Sequence, residues 1–242
     1  MNFYKDRVCL NVLAGGHENA KEVYAAAEKY VLVGVLSADY ATIEEAVSDM
    51  QVYNTELEGN LSVGLGGGNP NQWFAVSSIA KEVKCSHYNQ IFSAVGHTRC
   101  NVDNETGHIN ALVSPSGVPG LVKISTGPLS KDAEAALVPI DTAIKMIKEM
   151  GGNSVKFFPM KGLACKDELI AVSKACSAND FVLEPTGGID LDNYREILET
   201  ILNEGVKKVI PHVYSSIIDK ETKQTRVEDV KKLLEITKEI VG

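Results

Sequence analysis

Eight short, mostly apolar runs rich in β-forming residues recur along this chain, at 8–13, 31–36, 61–65, 90–95, 120–124, 154–158, 181–183 and 206–213, roughly 25–30 residues apart. Between most of them lie stretches with helical patterning, at 18–30, 42–50, 71–83, 141–150, 166–177, 192–204 and 227–241. Strand and helix alternating in this way build βαβ units, whose crossovers make neighbouring strands parallel. Runs that are continuously apolar suit strands covered on both faces. Eight units favour a closed (β/α)8 barrel over an open doubly wound sheet, and 242 residues suit one such α/β domain spanning 1–242. The stretch 98–119 carries Gly, Pro, Ser and Asn with weak periodicity, which predicts an extra hairpin or a loop over the barrel mouth.

Charge and cysteine usage narrow the function classes. There are 32 acidic against 24 basic residues, a net charge of −8, which argues against a general binder of nucleic acid or anionic membrane. A single pocket can still be locally positive. The five cysteines, Cys9, Cys85, Cys100, Cys165 and Cys176, show no CxxC spacing, so reduced thiols and no structural zinc are expected. Neither a leader-like segment nor an apolar run of membrane-spanning length is visible, the pattern expected of a cytoplasmic protein.

Chemistry concentrates at one unusual placement. Lys156 stands inside the apolar run Ser154-Val155-Lys156-Phe157-Phe158-Pro159. Desolvation of an ammonium lowers its pKa, and the neutral amine can attack a carbonyl to form a Schiff base. A lysine snorkelling from a strand end, or held in a structural ion pair, would leave the same trace. Lys123, in Val122-Lys123-Ile124 ahead of Ser125-Thr126, is the rival nucleophile on the residues alone.

A barrel places its site at the C-terminal strand ends, and strands seven and eight most often hold a phosphate there. These ends read Glu184-Pro185-Thr186-Gly187-Gly188 and His212-Val213-Tyr214-Ser215-Ser216. Glycines let backbone N–H groups approach an anion, so Gly187, Gly188, Ser215 and Ser216 are the phosphate candidates. His17 and His87 are read as solvated or capping residues.

The segment Val155-Lys156-Phe157-Phe158-Pro159, followed by Pro185-Thr186-Gly187-Gly188-Ile189 and Asn193-Tyr194-Arg195, resembles the 2-keto-3-deoxy-6-phosphogluconate aldolases. Leu61-Ser62-Val63-Gly64 with Asn69-Pro70-Asn71-Gln72 resembles that family's third strand and loop. The match is specific from 154 to 216 and suggests the divergent branch linked to glucosaminate-type sugar acid breakdown. The resemblance implies a class I aldolase on a (β/α)8 barrel, with Lys156 as the Schiff-base lysine. Thr186, Gly187 and Gly188 would contact carboxylate and phosphate, and Ser215 or Ser216 would replace the family's phosphate-binding serine. Two departures stand out. Pro211-His212-Val213-Tyr214 replaces a Gly-Gly-Ser turn, and Ser37-Ala38-Asp39-Tyr40 stands where the family has a general-base glutamate with an arginine four residues on.

The implied reaction is retro-aldol cleavage of 2-keto-3-deoxy-6-phosphogluconate to pyruvate and glyceraldehyde 3-phosphate, with 4-hydroxy-2-oxoglutarate as a related keto acid. Candidates for the base are Glu184, Asp39 and His97, in that order, and Arg99 is the candidate clamp on the substrate carboxylate. No cofactor and no metal are implied; His17, His97, His108 and His212 lack HxH or HxxxH spacing. The expected partner is a small phosphorylated keto acid, and the family analogy adds a homo-oligomer, a trimer. The alternatives are a phosphosugar isomerase or epimerase on the same barrel, and a sugar-phosphate sensor without turnover.

Overall fold

A computed structural model describes residues 1–102 and 107–242. Seven parallel strands hydrogen-bond side by side: β1 (Leu10–Leu13), β2 (Val31–Leu36), β3 (Leu61–Gly64), β4 (His87–Ile91), β5 (His108–Pro115), β8 (Ser154–Phe157) and β9 (Val182–Pro185). Two short strands, β6 (Leu121–Lys123) and β7 (Leu137–Pro139), form an antiparallel excursion from the end of β5.

The segment 209–212 closes the ring. On one side Ile210 N donates to Leu183 O at 2.9 Å and His212 N to Pro185 O at 3.0 Å. On the other, Cys9 N donates to Val209 O at 3.1 Å and Asn11 N to Pro211 O at 2.9 Å. The bond missing from the second ladder is the one residue 211 would donate toward Cys9, and proline has no N–H to give. The eighth barrel strand is therefore present as bridges rather than as an unbroken ladder.

Helices α1 (His17–Ala26), α2 (Ile43–Glu56), α3 (Trp73–Glu82), α4 (Val95–Arg99), α5 (Ile140–Glu149), α6 (Lys166–Ala178), α7 (Tyr194–Asn203) and α8 (Val227–Val241) connect the strands. Thr42 opens α2 with a capping box, its hydroxyl accepting from Glu45 N while the Glu45 carboxylate accepts from Thr42 N. The strands turn Leu10, Val12, Val31, Val33, Leu61, Val63, Tyr88, Ile109, Ala111, Val155, Phe157 and Leu183 into one buried apolar layer with the helices. Inside the ring a small cluster of Cys9, Leu32 and Ile210 is apolar. Above it the interior is polar, with Asn11, Ser62, His87, Asn89, Asn110, Ser154, Lys156, Glu184 and His212 all buried.

That polar interior corrects two strand assignments. The fourth strand is His87–Ile91, not 90–95, and the fifth is His108–Pro115, not 120–124. Both carry His and Asn on alternate residues, so a search for continuous apolar runs passes over them. Within 98–119, residues 103–106 lie outside the described residues; the remainder is the end of α4, the barrel strand β5 and the turn of a hairpin in which the end of β5 pairs antiparallel with β6, Ser114 opposite Lys123.

Candidate active site

Lys156 is the third residue of β8 and points into the ring, where only 7% of it reaches solvent. Its ammonium donates to Asn89 Oδ1 at 2.7 Å, so its direct partner there is a neutral amide. Burial pulls its pKa from the ordinary 10.5 down to about 8, against the charge of Glu184, which holds it up. Glu184 is the residue opposite it on the neighbouring strand.

Glu184 is completely buried beneath that amine. Its Oε2 accepts from Asn110 Nδ2 and His212 Nε2, both at 2.7 Å, and its Oε1 accepts from His87 Nε2 at 3.1 Å and from the Ser154 hydroxyl. His108 Nε2 lies 3.3 Å from Oε1. Burial alone would raise this carboxyl; the charge of His87 and the hydrogen bonds from His108, His212 and His87 outweigh it and hold Glu184 well below the usual carboxylate range. Ligating atoms of His87, His108 and Glu184 come within 4.8 Å of one another, a grouping invisible in their sequence spacing. In this structure those atoms are bonded to each other and to Ser154, as a closed hydrogen-bond network.

Above Lys156 the ring opens. An inner chamber of about 50 Å³ is lined by Lys156, Asn89, Leu36 and the run Gly64–Gly68. It adjoins a cavity of about 620 Å³ lined by Lys161, Gly187, Gly188 and Ser215, and Gly67, Phe158, Thr186 and Tyr214 line both. Gly188 has φ +72°, and a Cβ there would lie 2.5 Å from Gly162 N, so only glycine fits the turn. The site thus joins a tight compartment ending in an amine to a wider one lined by an exposed cation, hydroxyls and glycine backbone.

A family model described as KDGP aldolase matches residues 4–221. The chain belongs to the KDGP aldolase family. It is 45% identical over 245 residues to a 2-dehydro-3-deoxy-phosphogluconate aldolase of Salmonella typhimurium, an alignment covering 100% of this chain and 99% of that one. Among solved structures it is similar to a native KDPGal structure, with TM-score 0.57 and 11% identity over 97% of this chain and 95% of the other. A mutant tryptophan synthase α-subunit from Pyrococcus furiosus also has TM-score 0.57, at 16% identity over 100% of both chains. At these identities the two structures show the shared barrel fold.

On this KDGP aldolase barrel the predicted residues separate into two groups. Lys156, Thr186, Gly187, Gly188 and Ser215 line the joined cavities. The others do not converge on them. Arg99 was expected to clamp a carboxylate, but α4 runs back along the barrel's outside. The guanidinium therefore binds Gly151 O, Gly107 O and Asn153 Oδ1 at the N-terminal ends of β5 and β8. His97 lies on the exposed side of α4, with its Nδ1 2.7 Å from Ser77 Oγ and its ring edge-on to Trp73. Asp39 sits exposed on the turn Ser37–Asp39 and lines neither cavity; partial burial raises its pKa. Ser216 donates its hydroxyl to Ile189 O at 2.7 Å, tying two loops together. Glu184 has both oxygens engaged and a lowered pKa, which suits a fixed charge and not a proton acceptor. Lys123 stands on the outer hairpin, and Ser125 and Thr126 beside it accept from Ala136 N and Phe92 N instead of lining the cavity. His87, read as solvated or capping, is fully buried against Glu184.

Sequence reasoning missed Lys161, Tyr214, Asn89 and Asn11. For Asn89 and Tyr214 the signal was there as a period of two: His87 and Asn89, His108 and Asn110, Ser154 and Lys156, Glu184 and Thr186, His212 and Tyr214 are each two residues apart, as side chains on one face of a strand must be.

Proposed function

We propose that this chain is a class I aldolase that cleaves 2-keto-3-deoxy-6-phosphogluconate to pyruvate and glyceraldehyde 3-phosphate through a Schiff base on Lys156. The observation that carries this reading is the burial of one amine at the closed end of a cavity whose open end suits an anion. At pH 7 an amine of pKa about 8 is roughly one-tenth neutral, against fewer than about one in a thousand at the ordinary value. That fraction is available to attack the C2 ketone. The iminium that follows carries a positive charge into a dry chamber, where Glu184 supplies the opposing field. It then withdraws the electron pair of the breaking C3–C4 bond, leaving the enamine of pyruvate.

The compartment sizes support the polarity of binding. The inner chamber accommodates only the keto-acid end, with Thr186 as the candidate carboxylate contact. The phosphate lies in the outer cavity against Gly187, Gly188 and Ser215, and Lys161 supplies the charge. The reaction drawn this way uses no metal and no organic cofactor. Among the described residues no helix is long and apolar enough to cross a membrane; a cytoplasmic location, read from the cysteine usage and segment pattern, and a trimeric homo-oligomer, read from the family analogy, belong to the same proposal.

Mass spectrometry after borohydride reduction in the presence of pyruvate tests the reading. One reduced pyruvate unit on Lys156 is the expected result. An unmodified protein, or modification at Lys123, overturns it, and an isomerase or a sensor would give no adduct.

A further inference from the structure

The Tyr214 hydroxyl is joined to the buried Glu184 carboxylate through one imidazole. His212 Nε2 lies 2.7 Å from Glu184 Oε2, and His212 Nδ1 lies 2.8 Å from Tyr214 Oη. An ionised carboxylate only accepts, so Nε2 carries the ring proton. Burial and, after it, the charge of Lys156 hold His212 down to about 3, so the ring is neutral at pH 7 and Nδ1 offers a lone pair. The Tyr214 hydroxyl also donates toward Asn11 Oδ1 at 3.0 Å, so its single proton is shared between that amide oxygen and His212 Nδ1, the nearer of the two. The charged and titratable groups facing His212 are Glu184 from β9, Lys156 from β8, His87 from β4 and Tyr214 itself. Of these, Tyr214 and Lys156 line the inner chamber, and Tyr214 also lines the outer cavity.

We propose that Tyr214 is the catalytic proton-transfer residue of this site, with His212 as the residue that takes up its proton and Glu184 as the fixed charge that positions the His212 ring. The proposal rests on the Schiff-base reading of Lys156. In the cleavage step the proton of the substrate's C4 hydroxyl passes to Tyr214 Oη, and the tyrosine's own proton passes to His212 Nδ1. The C4–O electrons form the aldehyde carbonyl. The C3–C4 electron pair moves toward the iminium, giving a neutral enamine, and the imidazolium left behind is paired with Glu184. The positive charge at Lys156 is cancelled as the one at His212 appears, which removes the second-largest of the causes that hold His212 down; burial, the first, is opposed by the paired charge of Glu184. The relay then runs in reverse: His212 returns its proton to Tyr214, Tyr214 protonates C3, and hydrolysis of the imine frees pyruvate. Asp39 cannot take this part because it lines neither cavity, and Glu184 reaches the substrate only through His212.

Deuterium exchange at the pyruvate methyl group, followed by NMR in D2O, isolates the step, because exchange needs both the imine and the group that moves the C3 proton. Borohydride trapping reads the imine alone. Tyr214→Phe keeps the ring, and His212→Gln keeps a donor toward Glu184 but cannot hold a second proton. Both variants are expected to trap pyruvate on Lys156 as the unaltered protein does, while exchange and cleavage fall about 10²–10⁴-fold. Exchange within about threefold of the unaltered protein in either variant overturns the relay. So does loss of trapping together with exchange, which would make these residues necessary for the imine or the fold and not for proton movement. If the unaltered protein fails to trap pyruvate, the Schiff-base reading falls first and the relay falls with it.

Discussion

Two strands of this molecule each carry a lysine between apolar neighbours, Val155-Lys156-Phe157 on β8 and Val122-Lys123-Ile124 on β6. β8 lies between β5 and β9 in the barrel wall, and its lysine projects into the closed ring. β6 lies between β5 and β7 in an antiparallel excursion, and its lysine reaches solvent, with Nζ 3.4 Å from Lys131 O in an exposed contact. The local sequences are alike, but the environments are opposite. What suits one strand lysine and not the other to the proposed nucleophilic role is the sheet it belongs to, because the amine that points into the closed ring is buried.

The largest expected difference is in the reaction itself. Lys156→Ala loses pyruvate trapping and cleavage, on the order of 10⁴-fold or more, because the covalent intermediate has no other site. A steady-state assay coupled to pyruvate release measures this. Residual activity near that of the unaltered protein would place the nucleophile elsewhere and erase the contrast between the two strands.

Glu184→Gln tests the field beneath the amine. His87, His212, Ser154 and Asn110 would then face an amide instead of a charge, a loss of about 3 kcal/mol in chemical unfolding. The folded carboxyl is depressed, so its contribution is complete above the ordinary 4.5 and disappears as pH falls through the lower folded value. The gap between the two proteins should therefore narrow in acid. The same change removes the charge that holds Lys156 up, so trapping should persist to lower pH than in the unaltered protein.

Lys156 itself carries a cost in stability. Its folded pKa of about 8 lies below the ordinary 10.5, so the unfolded chain holds more protons between those values. The penalty is full below about pH 8 and is relieved as pH rises toward 10.5. Lys156→Met removes it, and the variant should be more stable at pH 7 by on the order of 2 kcal/mol, with the difference shrinking in alkali. A stability equal to or below that of the unaltered protein at pH 7 would mean that the amine is not held against its solvation preference.

How far the sequence discloses this site follows from the same physics. Apolar runs announced six of the eight barrel strands, because outward-facing residues pack under the helices. The strands at 87–91 and 108–115 were hidden by the inward His and Asn residues that build the bed around Glu184. Lys156 and the Gly187-Gly188 turn were legible through their joint placement, since each alone has an ordinary structural use but a charge inside one strand and paired glycines at the end of the next meet at one mouth. The misplacement of Arg99 and His97 came from reading strand four late. With the strand ending at Ile91, both residues fall on the helix that leads away from the mouth. Tyr214 needed the three-dimensional pairing with His212, which the spacing of two residues suggests but does not require.

A third lysine gives a smaller effect. Lys161 is exposed on the loop after β8 and lines the outer cavity. Lys161→Ala should raise KM for the phosphorylated substrate roughly three- to tenfold, the worth of one solvated ion contact to phosphate, and leave kcat nearly unchanged. An unphosphorylated analogue should show no change, and an equal rise for both substrates would take the phosphate away from this cavity.

The smallest effect belongs to Lys123. Lys123→Ala removes a half-buried side chain whose ammonium bonds only at the edge of hydrogen-bonding distance to an exposed carbonyl. Surface substitutions of this kind change stability by less than about 0.5 kcal/mol. The neighbours that hold the excursion in place, Thr126 on Phe92 N and Leu112 O and Ser125 on Ala136 N, do not depend on it. Trapping, kcat and KM should therefore match the unaltered protein within experimental scatter. A clear loss of trapping in this variant would mean that the outer hairpin reaches the chamber, and sequence context rather than ring closure would then be the better guide to which lysine reacts.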